Sequence, residues 1–264
     1  MSRTVCLVTA RMASARCPGK ALMELLPGEP LLGVLIARMR TSKAADEVAL
    51  ATSVNPENDA IADLGRRVGV RVFRGDEDDV LKRHVDAARE FAADHVVRVT
   101  GDNPLTDVGT MDLLVRLHHK EHADYTYVPG EALLMGILAE VISREALERS
   151  WEKGEPKHRS ELVTLYIKEH PADFRIAMQD LDPALLRPAY RLTVDHPEDI
   201  RLQREIFKLL DRGPRVETRD AVALLDSRPD LVAINAHLTH KGVNHRSVEL
   251  DAMVKAAQPR KSQA

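Results

Sequence analysis

The strongest constraint on this chain is the close alternation of short apolar runs with helix-patterned stretches over its first 120 residues. Val5-Cys6-Leu7-Val8 is a continuous apolar run bounded by loop residues, which suits a strand covered on both faces. Pro30 opens a helix through about Arg40, with Leu32, Leu35, Ile36 and Met39 on one face. Residues 47–52 read as the next strand, and 55–69 as a helix with Pro56 near its first position, acids in its first turn and Gly69 at its end. Residues 70–73, 78–92, 95–100 and 107–121 continue as strand, helix, strand and helix, with a turn at Gly101-Asp102-Asn103-Pro104. Such spacing predicts an α/β fold with a mostly parallel sheet and helices on both faces.

From residue 125 the rhythm changes. A strand-like run at 138–142 and helical stretches at 144–153 and 159–169 predict a small insertion on the sheet, at about 125–175. Residues 190–194 read as a strand and 197–210 as a helix. Residues 1–240 are expected to form one domain, and 241–264 a polar tail that frays at its end.

Aromatic residues are only 3% of the chain, so aliphatic side chains must fill the core. The formal net charge of −3 gives no global basic excess, which argues against nucleic acid as a partner. An anionic ligand then needs a local basic site. Cys6 and Cys17 form neither a disulfide framework nor a zinc pattern. The apolar run at 4–10 is too short for a signal segment, and no stretch is apolar enough to span a membrane, so a cytoplasmic protein is expected.

Open parallel sheets bind ligands beyond the carboxyl ends of their strands. Three loops fall there. The first, residues 10–20, places Arg11, Arg16 and Lys20 among small residues such as Ala10 and Ser14. Backbone N–H groups, guanidinium forks and an ammonium point charge together suit a triphosphate, although a solvated basic loop has the same composition. Neither a P-loop nor a GxGxxG fingerprint is present. The second, Thr100-Gly101-Asp102-Asn103-Pro104, sets a carboxylate at a strand end, where it can ligate magnesium or cap a turn. The third, Asp195-His196-Pro197-Glu198-Asp199, sets another carboxylate before a helix, where an N-cap is the plainer reading. Glu198 and Asp199 are expected only to serve the helix dipole. Taken together, a basic cradle and two strand-end aspartates suit metal-assisted nucleotidyl transfer.

The segments 10–22, 50–64, 72–83, 96–107 and 190–202 together resemble the spore coat polysaccharide biosynthesis protein F group of cytidylyltransferases, relatives of the CMP-sialic acid and CMP-KDO synthetases. The resemblance covers roughly residues 4–210. It implies a three-layer α/β/α nucleotidyltransferase domain, Rossmann-like, whose insertion carries the acceptor site and makes a homodimer. The implied reaction is attack of an acceptor oxygen on the α-phosphorus of CTP, with Mg2+ as cofactor. By position, Arg11, Ser14, Arg16 and Lys20 would hold the triphosphate, with Arg11 and Lys20 stabilising the leaving pyrophosphate. Asp102 and Asp195 would ligate the metal. Ala10, Thr52, Arg74, Asp79, Arg83 and Gly101 would complete the nucleotide site.

The acceptor region departs from its relatives. Gly136-Ile137-Leu138-Ala139-Glu140-Val141 stands where they usually carry Gly-Leu-Asp-Val-Glu-Val, and Ser160-Glu161-Leu162-Val163-Thr164 where they carry Arg-Glu-His-Val-Thr. An acid and an imidazole have become leucines. A changed acceptor is the expectation: a keto-sugar acid, a sugar phosphate or a phosphonate. Glu140, His158 and Arg159 are its candidate ligands, with a solvated helix start as the other reading of His158 and Arg159. His118 and His122 share metal-compatible i,i+4 spacing, but His118, His119 and His122 read better as a polar helix surface. Trp151 and Met135 read as core or dimer-contact residues. Two other readings remain open: a nucleotide-sugar-dependent glycosyltransferase, and a catalytically weak nucleotide-binding subunit of an active relative.

Overall fold

The computed structural model describes residues 2–14, 16–130, 134–238 and 245–257, and the side chains of 245–248 lie outside that description. Strand β1 (Thr4–Thr9) leads to a small antiparallel ribbon, β2 (Glu24–Leu26) with β3 (Glu29–Pro30), and then to helix α1 (Leu31–Met39). The alternation continues through β4 (Glu47–Ser53), α2 (Asp59–Arg67), β5 (Arg71–Gly75), α3 (Val80–Glu90), β6 (His95–Thr100) and α4 (Val108–Lys120). After it come β7 (Tyr125–Tyr127), β8 (Glu140–Ser143), α5 (Arg144–Lys153), α6 (Leu165–Glu169) and β9 (Ile176–Met178). The chain ends on α7 (Pro197–Leu210), α8 (Thr218–Ser227), α9 (Pro229–Val232) and α10 (His245–Ala257).

Among the described residues the main sheet has seven strands in the order β5-β4-β1-β6-β8-β7-β9. The first four are mutually parallel, β8 runs antiparallel to β6 and β7, and β9 is parallel to β7. Strand period 2 divides the apolar residues between two cores. Cys6, Val8, Leu50, Val97 and Val99 face the layer of α1 and α4. Val5, Leu7, Ala49, Ala51 and Val96 face the layer of α3 and α5. Each fully buried Val or Leu contributes about 1.5–3 kcal/mol. This is the expected three-layer α/β/α nucleotidyltransferase arrangement, and it puts the loops after β1 and β6 side by side.

Several elements differ from expectation. A 3-10 turn (Pro56–Asn58) precedes α2, and α3 starts only at Val80, because the Asp79 carboxylate accepts from the Lys82 N–H at 2.7 Å. The helix expected at 159–169 is a 3-10 turn (Pro156–Arg159) and the short α6. Residues 190–194 are not a strand, and only Arg191 makes a bridge, to Met135. Their backbone groups are bonded elsewhere. Leu192 N–H donates to Met135 O (2.8 Å), Val194 N–H donates to Asp102 O (2.9 Å), and Arg191 O and Leu192 O accept from Asn235 and Gln203 side chains.

The 125–175 stretch contributes β7 and β8 directly to the main sheet. The expected tail is helical over His245–Ala257, and its Asp251 accepts from Tyr127, Lys168 and Gly130 while Val254 is fully buried. The expectation that 258–264 fray lies outside the described residues. His118 is not on a polar surface: it is fully buried between His95 and Thr126, and burial with its histidine neighbours pushes its pKa down to about 3. His122 lies past the end of α4 with φ 47°, so the i,i+4 pair does not share a helix face. Among the described residues no helix is long and apolar enough to cross a membrane.

Candidate active site

The site begins where β1 and β6 end. Gly101 N–H donates to Thr9 O at 2.7 Å, and a Cβ at position 101 would stand 2.7 Å from that oxygen and 2.8 Å from Ala10 Cβ. Only glycine lets the two strand ends approach this closely. The loop leaving β1 is pinned at two points. Met12 N–H donates to the buried Asn58 carboxamide (2.8 Å), and Gly19, with φ 70°, donates back to Met12 O (3.1 Å). That reversal delivers Lys20 to the strand ends.

There the Lys20 ammonium donates to Asp102 Oδ2 (2.7 Å), Asp195 Oδ1 (3.0 Å) and Val194 O (2.7 Å). The Val194–Asp102 backbone bond holds the two aspartates on one side of the sheet. Asp195 is also held by Arg16 at 3.0 Å and Arg191 at 2.7 Å. Behind it, the buried Asp199 accepts from Arg191, Asn235 and the N–H groups of Asp195 and His196. Asp199 therefore does more than offset a helix dipole: it anchors the segment that carries Asp195.

Burial alone would lower the pKa of Lys20, but the Asp102 and Asp195 carboxylates outweigh it and the net shift is upward. Burial alone would raise that of Asp195, but Lys20, Arg16 and Arg191 outweigh it and hold the carboxyl below its usual range. Lys20 and Asp195 thus hold each other in their charged forms. Two carboxylates converging on one cation fit a hard divalent ion with oxygen ligands. No group of three or more His, Cys, Asp and Glu side chains placed for a metal occurs among the described residues. Ligand phosphates and water would have to complete the shell.

These groups open onto a cavity of about 490 Å³. The structure brings Ala10, Arg11, Ser14, Arg16 and Lys20 to it from the first loop, with Gly101, Asp102, Asp195 and Arg83 from elsewhere. Arg11 pairs with Glu161, and at 3.7 Å with Glu77, across the cavity. Other expected residues lie off the cavity wall. Thr52 is fully buried in β4. Arg74 donates to the carbonyls of Ser53, Val54 and Asn55 and pairs with Asp59, so it braces a turn rather than facing a nucleoside. Asp79 caps α3 and accepts from Trp151 Nε1 at 2.9 Å.

The three expected acceptor ligands are likewise placed outside the lining. His158 is buried, accepts from Glu155 N–H at 2.8 Å and pairs with Glu169. Arg159 lies over the Trp151 ring, with its guanidinium carbon 5.4 Å from the ring centroid. Glu140 stands behind the cavity, taking Arg98 at 2.8 Å on one oxygen and Tyr125 with Thr164 on the other. Arg98 itself does line the cavity, and its Nη2 donates to Glu161 O at 3.0 Å. Arg98 is not among the residues expected from the loops, although strand alternation places it on the same face as Thr100. Glu161 belongs to the altered motif at 160–164, and nothing local in the sequence marks it as the partner of Arg11.

A cytidylyltransferase family model matches residues 5–226. The spore coat polysaccharide biosynthesis protein SpsF of Bacillus subtilis is 32% identical over 87% of this chain and 97% of its own length. A solved cytidylyltransferase of Leptospira borgpetersenii aligns at a TM-score of 0.80 and 25% identity, over 88% of this chain and 97% of that one. A CMP-2-keto-3-deoxy-manno-octonic acid synthetase solved with CTP aligns at 0.63 and 17% identity, over 79% of this chain and 100% of that one, a likeness of fold.

Proposed function

The chain belongs to the cytidylyltransferase family and is a nucleotidyltransferase, and on that premise we propose that it transfers CMP from CTP to a small acidic acceptor, releasing pyrophosphate. The observation that carries the reading is the convergence of Lys20, Asp102 and Asp195 in one cavity with Arg11, Ser14 and Arg16. In the reaction an acceptor oxygen bonds to the α-phosphorus, the bond from that phosphorus to the bridging β-phosphate oxygen breaks with its electron pair leaving on pyrophosphate, and a proton on the acceptor hydroxyl passes to solvent. Arg11, Arg16 and Lys20 bind the phosphates and balance charge that grows on the departing pyrophosphate. Asp102 and Asp195 would hold magnesium, which when bound would neutralise charge on the phosphate oxygens. Arg98, set by Glu140, and Glu161, next in sequence to the altered residue 162, line the same cavity. Leu162 is 57% exposed and Leu138 packs on the core, so neither supplies a polar ligand.

The purified chain with CTP, magnesium and a panel of keto-sugar acids, sugar phosphates and phosphonates tests this. A CMP conjugate and pyrophosphate are expected together. Turnover of another nucleoside triphosphate in place of CTP would overturn the base assignment. The same reading takes a cytoplasmic homodimer, and sedimentation of the full chain checks the dimer.

A further inference from the structure

We infer that Lys20 is a built-in stand-in for the divalent cation: its ammonium closes the Asp102–Asp195 pair, and a triphosphate must draw it away before metal binds well. The inference rests on the metal-dependent reading above and adds an order to it.

An ammonium has three N–H donors and no acceptor. Lys20 places them on Asp102 Oδ2, Asp195 Oδ1 and Val194 O, at 2.7, 3.0 and 2.7 Å, which saturates it. A divalent ion held by Asp102 and Asp195 would compete for their oxygens, since Lys20 holds Asp102 Oδ2 and shares Asp195 Oδ1 with Arg16, and Arg191 holds Asp195 Oδ2. Two cations sharing that point in a site only 14% exposed at the lysine side chain repel strongly. Metal and lysine therefore compete.

Charge balance points the same way. Lys20, Arg16 and Arg191 face Asp102, Asp195 and Asp199, three cations against three carboxylates. A metal ion alone adds uncompensated positive charge. A triphosphate brings the missing negative charge and gives the Lys20 ammonium new acceptors beside its present ones. Metal and nucleotide then strengthen each other's binding by the same factor, as linkage requires.

The test titrates Mn2+ into the full chain without nucleotide and reads bound metal by electron paramagnetic resonance. Lys20→Met removes the ammonium and keeps the stem, and Lys20→Gln is a second variant should the first melt early by circular dichroism. Either folded variant is expected to bind Mn2+ roughly tenfold or more tightly than the unaltered chain, since hydrogen bonds to charged groups no longer have to be displaced. Adding Asp102→Asn should remove that gain. Unchanged or weaker Mn2+ binding in both Lys20 variants, or a gain that survives Asp102→Asn, overturns the inference. A separate arm adds CTP to the unaltered chain. If protein plus CTP then retains no more Mn2+ than CTP alone, the metal-dependent reading fails instead, and the nucleotide-free comparison still reports on Lys20.

Discussion

On the Lys20 side of the cavity, where the proposed reading puts the nucleotide, charged groups are tied to one another and to the backbone of several distant segments. Lys20, Asp102 and Asp195 stand in front of a buried Asp199–Arg191–Asn235 set, and backbone bonds join the strand ends carrying them. On the opposite side, where the proposed reading puts the acceptor, the turn at 160–164 rests on Arg98 through Glu161 O and on Glu140 through the Thr164 hydroxyl, while Glu161 and Leu162 are exposed. A network of interlocked buried charges resists substitution, because removing one member strands another. A wall held by few bonds can change its side chains without disturbing the frame. Leu162 sits in that second region, so on the proposed reading a change of acceptor there would leave the charged frame intact.

The largest effect that would break this contrast lies behind the site. Arg191 is 4% exposed as a side chain and its partner Asp199 is 0% exposed. Arg191→Met should cost about 3–5 kcal/mol in urea unfolding, because it leaves a buried carboxylate without its main partner. A shift within the range of ordinary surface substitutions would show that the network is not a stability element. Next comes the chemistry itself. Asp102→Ala should lower kcat by roughly 10²–10³-fold, about 2.7–4 kcal/mol, at nearly unchanged unfolding midpoint. Near-normal turnover in the purified variant would remove Asp102 from the site.

Glu140→Gln sharpens the contrast from the acceptor side. Burial alone would raise the Glu140 pKa, but Arg98 and Lys168 outweigh it and keep the carboxyl ionised. Its charge orients Arg98 rather than meeting a ligand. The variant should raise the acceptor KM by about tenfold, the scale of one hydrogen bond to a charged group, and leave the CTP KM alone. Equal rises in both would place Glu140 in the nucleotide half.

Much of the frame was legible because it is local. The apolar runs of β1, β4 and β6 and the loops that follow them need only period and composition, and the three loops do meet. What escaped depends on contacts far apart in the chain. Leu192 and Val194 have the alternation of a strand, yet their backbone bonds go to Met135, Gln203 and Asp102. His118 has the sequence surroundings of a surface histidine, and only Thr126 and His95 make it a core residue. Arg74 and Asp79 carry charge where a ligand site was expected, but each satisfies nearby backbone groups. Local pattern cannot say whether a polar side chain serves a ligand or its own chain.

The smallest predicted effect tests an ion pair that crosses between the two regions. Arg11 pairs with Glu161, whose side chain is 71% exposed, so solvent screens the attraction and its worth is about 1 kcal/mol or less. In the reading above, a triphosphate must take Arg11 from that carboxylate. Glu161→Gln removes the competitor without shortening the side chain. It should therefore lower the CTP KM by a few-fold at low ionic strength, about 1 kcal/mol at most. The gain should shrink as salt rises, because exposed pairs are the most screened. Steady-state kinetics at two salt concentrations reads both parts. A CTP KM that stays fixed at low salt means Arg11 leaves Glu161 at no cost. A KM that rises makes Glu161 a ligand of the nucleotide side, and the two walls would then be coupled through more than one exposed contact.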